Sequence, residues 1–225
     1  MVHIKKLKII MISIILAVIA LIPNNVLADG PSYDITNYDM DAYIQEDGTI
    51  HIDESITYYF SSSANGLTRD LRYFYKTNKD SMEPNSARYQ ATGIENITVA
   101  VTNPANITTN FTKASNAEKG DNGVYTVDAV NADRTDGYDI MVYSPISSNN
   151  FQTVHYSYDI TDAVVQYNDM SEIYYNFIGN GIETDVDEFN LDIYLPKSIN
   201  MDDVKYYPHT YATKLEDIQV MLDSA

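Results

Sequence analysis

Polar and apolar residues alternate along residues 40–60, MDAYIQEDGTIHIDESITYYF. The apolar residues occupy every second position in two runs, which are Met40, Ala42 and Ile44, then Ile50, Ile52, Ile56, Tyr58 and Phe60. A period of two predicts two half-buried strands. If Ile44 faces Ile50, the loop between the strands is the tripeptide EDG at 46–48. Gly48 would then take the left-handed backbone conformation that glycine tolerates best.

Glu54 breaks this pattern, because it falls on the apolar side of the second strand. A carboxylate that faces a protein core is costly unless it is paired or hydrogen-bonded. The nearest downstream cations are Arg69 and Arg72. We expect Glu54 to pair with Arg69, since a planar guanidinium suits a buried carboxylate better than an ammonium does. The alternative is that the strand ends early or bulges and leaves Glu54 in water.

Six further segments have strand-like patterns, which gives about eight strands in all. They lie at residues 97–101, 125–129, 140–142, 154–160, 173–178 and 189–195. Pro145 is expected to end the short strand before it, residues 76–93 are expected to form a long loop, and residues 162–167 fit one helical turn. Thr213 and Glu216 could cap a short helix, although a strand fits nearly as well there. Many short strands with loops of mixed length predict an all-β fold, an antiparallel β-sandwich.

The amino terminus has the three parts of a secretory signal peptide. Three lysines within the first eight residues precede an apolar run at residues 9–22, and small or tolerated residues lead up to Ala28. We expect residues 1–28 to be the signal peptide, with cleavage between Ala28 and Asp29. The alternative is an uncleaved membrane anchor, but the apolar run is shorter than the roughly 20 residues that a spanning helix needs.

Removal of the signal peptide leaves 11 basic and 32 acidic residues, a net charge of −21. Such a surface repels nucleic acid and anionic lipids, whereas cations, basic proteins and neutral polymers fit it better. Because the charge is spread along the chain, solubility is its simplest explanation. The chain has no cysteine, which excludes disulfides and thiolate chemistry. The length suits one exported domain, residues 29–198, and the start of a following segment, residues 199–225, that is incomplete if the chain is truncated.

Two segments carry a resemblance to a known family. The first is the hairpin EDGTIHIDESITYYF followed by a glycine and the tripeptide RDL, and the second is YNDMSEIYYNFIGNGIETDVDEFNLDIYLP. The matching positions are Gly66, Arg69, Asp70, Leu71, Tyr167, Asp169, Glu172, Tyr174, Tyr175, Gly179, Leu195 and Pro196. Over residues 33–196 the chain resembles the bacterial family called domain of unknown function 2207, predicted membrane proteins with an exported amino-terminal β domain. The resemblance implies membrane anchoring only through a continuation absent from this chain, and it implies no activity.

Common catalytic signatures are missing from the sequence. His51, His155 and His209 lie far apart and in no zinc-binding spacing, and no serine lies in an acyl-transfer motif. We therefore expect no metal and no cofactor, although an adventitious calcium site in the acidic stretch NADRTDGYD stays open. The candidate catalytic pair is Asp169 and Glu172, which could act as glycosidase carboxylates. Acids three residues apart at the start of a strand more often bind local backbone amides.

The function expected from these observations is that of a non-catalytic interaction or structural module at the bacterial cell surface. Its partner would be a cell-envelope protein or polymer of unknown identity, and nucleic acid is not expected. The rival expectation is an envelope-polysaccharide hydrolase that uses the carboxylate pair. We expect Gly48, Glu54, Arg69 and Gly179 to serve the structure rather than a ligand.

Overall fold

The computed structural model describes residues 32–75, 91–132, 135–179, 181–182 and 184–206, and nearly all of its regular structure is β-strand. The strands are β1 Tyr33–Ile44, β2 Ile50–Phe60, β3 Ala64–Tyr75, β4 Gly93–Thr102, β5 Thr108–Asn110, β6 Thr112–Lys113, β7 Val124–Ala132, β8 Thr135–Ile146, β9 Asn150–Thr161, β10 Val164–Gln166, β11 Ser171–Ile173 and β12 Phe189–Tyr194. A single 3₁₀ turn, Met201–Asp203, follows within the described residues. The all-β prediction is confirmed.

The strands form two large sheets and one hairpin. The first sheet has the order β12-β1-β2-β9-β4-β5, the second has the order β3-β8-β7-β6, and β10 pairs with β11. Most neighbours are antiparallel, as predicted, but β12 runs parallel to β1 and β6 runs parallel to β7. Side-chain contacts join the inner faces of the two sheets: the hydroxyl of Tyr125 on β7 donates to the carbonyl oxygen of Ile97 on β4 at 2.8 Å. The fold is therefore a two-layer sandwich.

The first hairpin has the predicted register, with Ile44 opposite Ile50. Gly48 has a φ of +87°, and its amide donates to the carbonyl oxygen of Gln45 at 3.1 Å, which closes the tight loop. The even-numbered residues of β2 all point into the core, and Ile50, Ile52, Ile56 and Phe60 are fully buried. The period-two pattern therefore identified both the strands and their buried face.

Four features of the sequence prediction were wrong. Residues 64–75 form the long strand β3, which was not predicted as a strand at all. Pro145 does not end a short strand, because β8 continues through it to Ile146. Residues 162–167 contain a turn and the strand β10 rather than a helical turn. Of the predicted strand at 173–178, only Ile173 lies in a strand, because the chain then turns to pack beside β3.

Several predictions concern residues outside the described ranges. These are the signal peptide with its cleavage between Ala28 and Asp29, most of the loop at 76–93, and the cap formed by Thr213 and Glu216. Among the described residues, no helix is long and apolar enough to cross a membrane.

Candidate functional site

A buried ion pair joins the two sheets at the centre of the sandwich. The Nε of Arg69 on β3 donates to the Oε1 of Glu54 on β2 at 2.9 Å, and Nη2 donates to Oε2 at 3.0 Å. The hydroxyl of Tyr38 on β1 donates to Glu54 and accepts a bond of 2.8 Å from the Nη2 of Arg69. All three side chains are buried. The contact between Glu54 and Arg69 expected from the sequence is therefore present, with a bidentate geometry that satisfies the carboxylate.

The electrostatics of this site favour one fixed protonation state. Burial alone disfavours a charge on Arg69, but Glu54 and Tyr38 outweigh it and hold the pKa of Arg69 well above its ordinary value. Burial also raises the pKa of Tyr38, Tyr156 and Tyr158 well above that of a free tyrosine. These phenols therefore stay neutral while the guanidinium stays charged.

The remaining guanidinium nitrogen binds a segment that follows β11. The Nη1 of Arg69 donates to the carbonyl oxygen of Ile178 at 3.1 Å and to that of Asp70 at 3.3 Å. Gly179 has a φ of +84°, and a Cβ built there would lie 2.9 Å from Nη1. We call residues 175–179 the strap. It can approach Arg69 this closely only because Gly179 carries no side chain, which explains the predicted structural role of this residue.

The two segments that carry the family resemblance thus meet in space. The crevice between β3 and the strap is lined by Arg69, Asp70, Leu71, Arg72, Tyr175, Asn176 and Gly179. Its volume is about 10 Å³, which is at the lower limit for a single water molecule. Tyr38 was not predicted to belong to this site, although it lies two positions before Met40 in the same alternation. The carbonyl of Ile178 is a backbone group and has no sequence signal.

The candidate catalytic acids lie elsewhere, on the small hairpin of β10 and β11. Asp169 lies in the connecting turn and Glu172 lies in β11, and both side chains are exposed. The hydroxyl of Tyr167 donates to the Oε2 of Glu172 at 3.2 Å. The two carboxylates therefore lie on a surface hairpin rather than in a cleft.

A row of three aspartates crosses the outer face of the first sheet. Asp41 on β1 lies opposite Asp192 on β12 and opposite Asp53 on β2. Partial burial and the charge of Asp192 raise the pKa of Asp41, although the Tyr194 hydroxyl opposes this shift. Like charges directly opposite each other destabilise a sheet. Within the described part of the chain, no group of carboxylates and histidines has an arrangement that would hold a metal ion.

Three of the four sheet edges offer little room for an added strand, whereas the fourth, β12, has six residues. β5 and β6, which end the two sheets on one side, have three residues and two residues. β3 is a long edge strand, but the strap packs beside its residues 69–72. Short or covered edges are the usual protection against unwanted strand pairing. Among the described residues, the outer faces of the two sheets and the edge of β12 are therefore the larger surfaces left for a partner.

Comparisons with known proteins identify the family of this chain. Residues 34–221 match the family described as predicted membrane protein (DUF2207), N-terminal domain. Comparison with curated proteins gives no match.

The similar solved structures are distant. An M1 zinc metallopeptidase mutant from Deinococcus radiodurans is 12% identical with a TM-score of 0.30, over 57% of this chain and 20% of that one. A putative nutrient binding protein from Legionella pneumophila is 10% identical with a TM-score of 0.33, over 58% of this chain and 40% of that one. The chain thus spans about a fifth of the metallopeptidase and two fifths of the Legionella protein.

Proposed function

The chain belongs to the DUF2207 family of predicted membrane proteins, and from this membership we propose that it is a non-catalytic module on the outer side of a bacterial membrane. In this role it binds or supports another component of the cell envelope. The observation that carries the proposal is the position in the structure of the two segments that match the family. Arg69 of the first segment bonds Glu54, Tyr38 and the carbonyl of Ile178, Gly179 of the second packs against its guanidinium, and the crevice beside them is at the lower limit for a single water.

The position of the alternative catalytic pair supports the same proposal. A glycosidase holds its two carboxyl groups across a substrate cleft. Asp169 and Glu172 instead lie on an exposed hairpin, where water reaches both. Their surroundings are those of solvated surface acids.

The test is to incubate the full chain with purified bacterial cell envelopes and to measure both its sedimentation with them and the release of soluble sugar or peptide. We expect sedimentation without release, and the same result for the double variant Asp169→Asn, Glu172→Gln. Release of product that is abolished in the double variant would establish the hydrolase instead. A chain that stays in the supernatant would contradict the proposed role.

A further inference from the structure

Four threonines stand in one row across the outer face of the first sheet. Thr57 on β2 lies opposite Thr153 on β9, Thr153 lies opposite Thr102 on β4, and Thr102 lies opposite Thr108 on β5. The hydroxyls of Thr57 and Thr153 are 2.9 Å apart, and those of Thr102 and Thr108 are 2.7 Å apart. The four hydroxyls therefore lie in one strip as two hydrogen-bonded pairs.

Two aromatic residues border this strip on one side. Tyr59 on β2 lies opposite Phe151 on β9, and their ring centroids are 4.9 Å apart. The ring of Phe151 is 53% exposed, so the pair presents an aromatic face to solvent beside the threonine row. We call the four threonines, Tyr59 and Phe151 the threonine platform.

A histidine and a serine border the strip on its other side. The Nδ1 of His155 lies 2.7 Å from the hydroxyl oxygen of Ser55, and its Nε2 lies 2.8 Å from that of Thr102. Partial burial lowers the pKa of His155, so the imidazole is neutral at pH 7. From Ser55 to Tyr59 the surface extends about 13 Å along the strands, and it extends about 14 Å across four strands.

The charge of this surface differs from that of the chain as a whole. The chain has a net charge of −18, yet every residue of the threonine platform is uncharged, and so are the neighbouring Ser55 and His155. The acids of the same face, including Asp53 and Asp159, begin in the rows beyond Ser55. An anionic polymer would meet repulsion from these acids, and a strongly cationic one would prefer the aspartate row. The platform therefore complements a neutral ligand rich in hydroxyl groups.

We propose that the threonine platform binds a neutral polysaccharide, with sugar rings stacked on Phe151 and sugar hydroxyls bonded to the threonine row. Threonine pairs alone would be accounted for by their contribution to sheet stability. The pair of Tyr59 and Phe151 adds what threonines lack, an exposed aromatic face beside the row on which a sugar ring can stack. This inference rests on the proposed function, since it names the envelope component that the module would bind.

The experiment passes the full chain over immobilised chitin, cellulose and amylose, which are neutral polysaccharides, and over polygalacturonate, which is anionic. We expect retention on at least one neutral polysaccharide, at both low and high salt, because no ion pairs are involved. Phe151→Ala should weaken the binding roughly 5- to 10-fold, as expected for the loss of one aromatic contact. Thr108→Asp, which adds a charge at an exposed position, should weaken it as well.

Tyr43→Ala is the matched control, because Tyr43 is an exposed aromatic residue on the same face but beside the aspartate row. Its retention should equal that of the unmodified chain. No retention on any neutral polysaccharide, retention on polygalacturonate alone, or equal binding by Phe151→Ala would overturn the inference. Sedimentation with whole envelopes alongside such a result would leave the proposed function standing. Retention on a neutral polysaccharide without envelope binding would reject the proposed function but support the inference about the threonine platform.

Discussion

The Nη1 of Arg69 donates a hydrogen bond to the carbonyl oxygen of Ile178 across 3.1 Å, while the other nitrogens of the same guanidinium hold Glu54 and Tyr38. One side chain thus connects β1, β2, β3 and the strap. A buried guanidinium needs all of its donors bonded to offset the loss of hydration. The strap is therefore part of the buried ion-pair site, and it leads the chain from β11 towards β12.

The contact at Gly179 predicts a difference between two glycines. Gly179→Ala places a methyl group 2.9 Å from the Arg69 guanidinium at a φ of +84°, whereas Gly123→Ala meets nothing within 4 Å at a φ of +79°. Both variants pay the backbone cost of about 1–2 kcal/mol for a left-handed alanine. Gly179→Ala should lose at least about 1 kcal/mol more, because it also displaces the guanidinium. Urea unfolding measures both, and equal losses would show that the strap does not depend on this contact.

The aspartate row predicts a stabilising substitution. Asp41→Asn removes repulsion from Asp192 and Asp53 and keeps an oxygen that accepts the bond from Tyr194. We expect the free energy of unfolding at pH 7 to rise by about 0.5 kcal/mol, and the gain to shrink at high salt. Thermal unfolding measures this, with the exposed Asp169→Asn as the control that should change little. A loss of stability on Asp41→Asn would mean that the row is held by attractive contacts.

His155 predicts a pH dependence of stability. Burial lowers its pKa in the folded state, so the unfolded state binds the proton more readily. The contribution of the neutral imidazole to the free energy of unfolding is complete above the unfolded pKa of about 6.5 and is lost as the pH falls below that value. The melting temperature should therefore fall between pH 7 and pH 5, and His155→Gln should reduce that fall. His51→Gln is the comparison variant, and its melting temperature should still show the part of the fall that His155 causes. If the melting temperature of His155→Gln fell with pH as steeply as that of the unmodified chain, His155 would not be the source of the pH dependence.

The sequence predicted those features that depend on local alternation. Glu54 was recognisable because it interrupts an apolar face, and Arg69 because it is the nearest cation that could compensate. Arg69 is also the reason why β3 was not predicted, because a charged residue at an inward position interrupts the apolar pattern of Leu67 and Leu71.

The pairing of strands that are far apart in the sequence could not be predicted from local alternation. Thr57, Thr102, Thr108 and Thr153 become one row only when the register of four strands is known. The parallel pairing of β12 with β1 joins Tyr38 to Phe189, which are too far apart in the sequence for a local pattern to predict their register. Contacts made by backbone atoms, such as the carbonyl of Ile178, do not depend on residue type and so cannot be predicted from the sequence.

The central claim is that Glu54 and Arg69 form a structural pair that holds the two sheets together. A double-mutant cycle with Glu54→Gln, Arg69→Met and the combined variant tests it by urea unfolding, with the exposed Glu172→Gln as control. Each single change leaves a buried group without its partner and should lower the free energy of unfolding by about 3–5 kcal/mol. The combined variant should lose much less than the sum of the two, since neither charge remains. Additive losses, or an unchanged unfolding midpoint in Arg69→Met, would contradict the account.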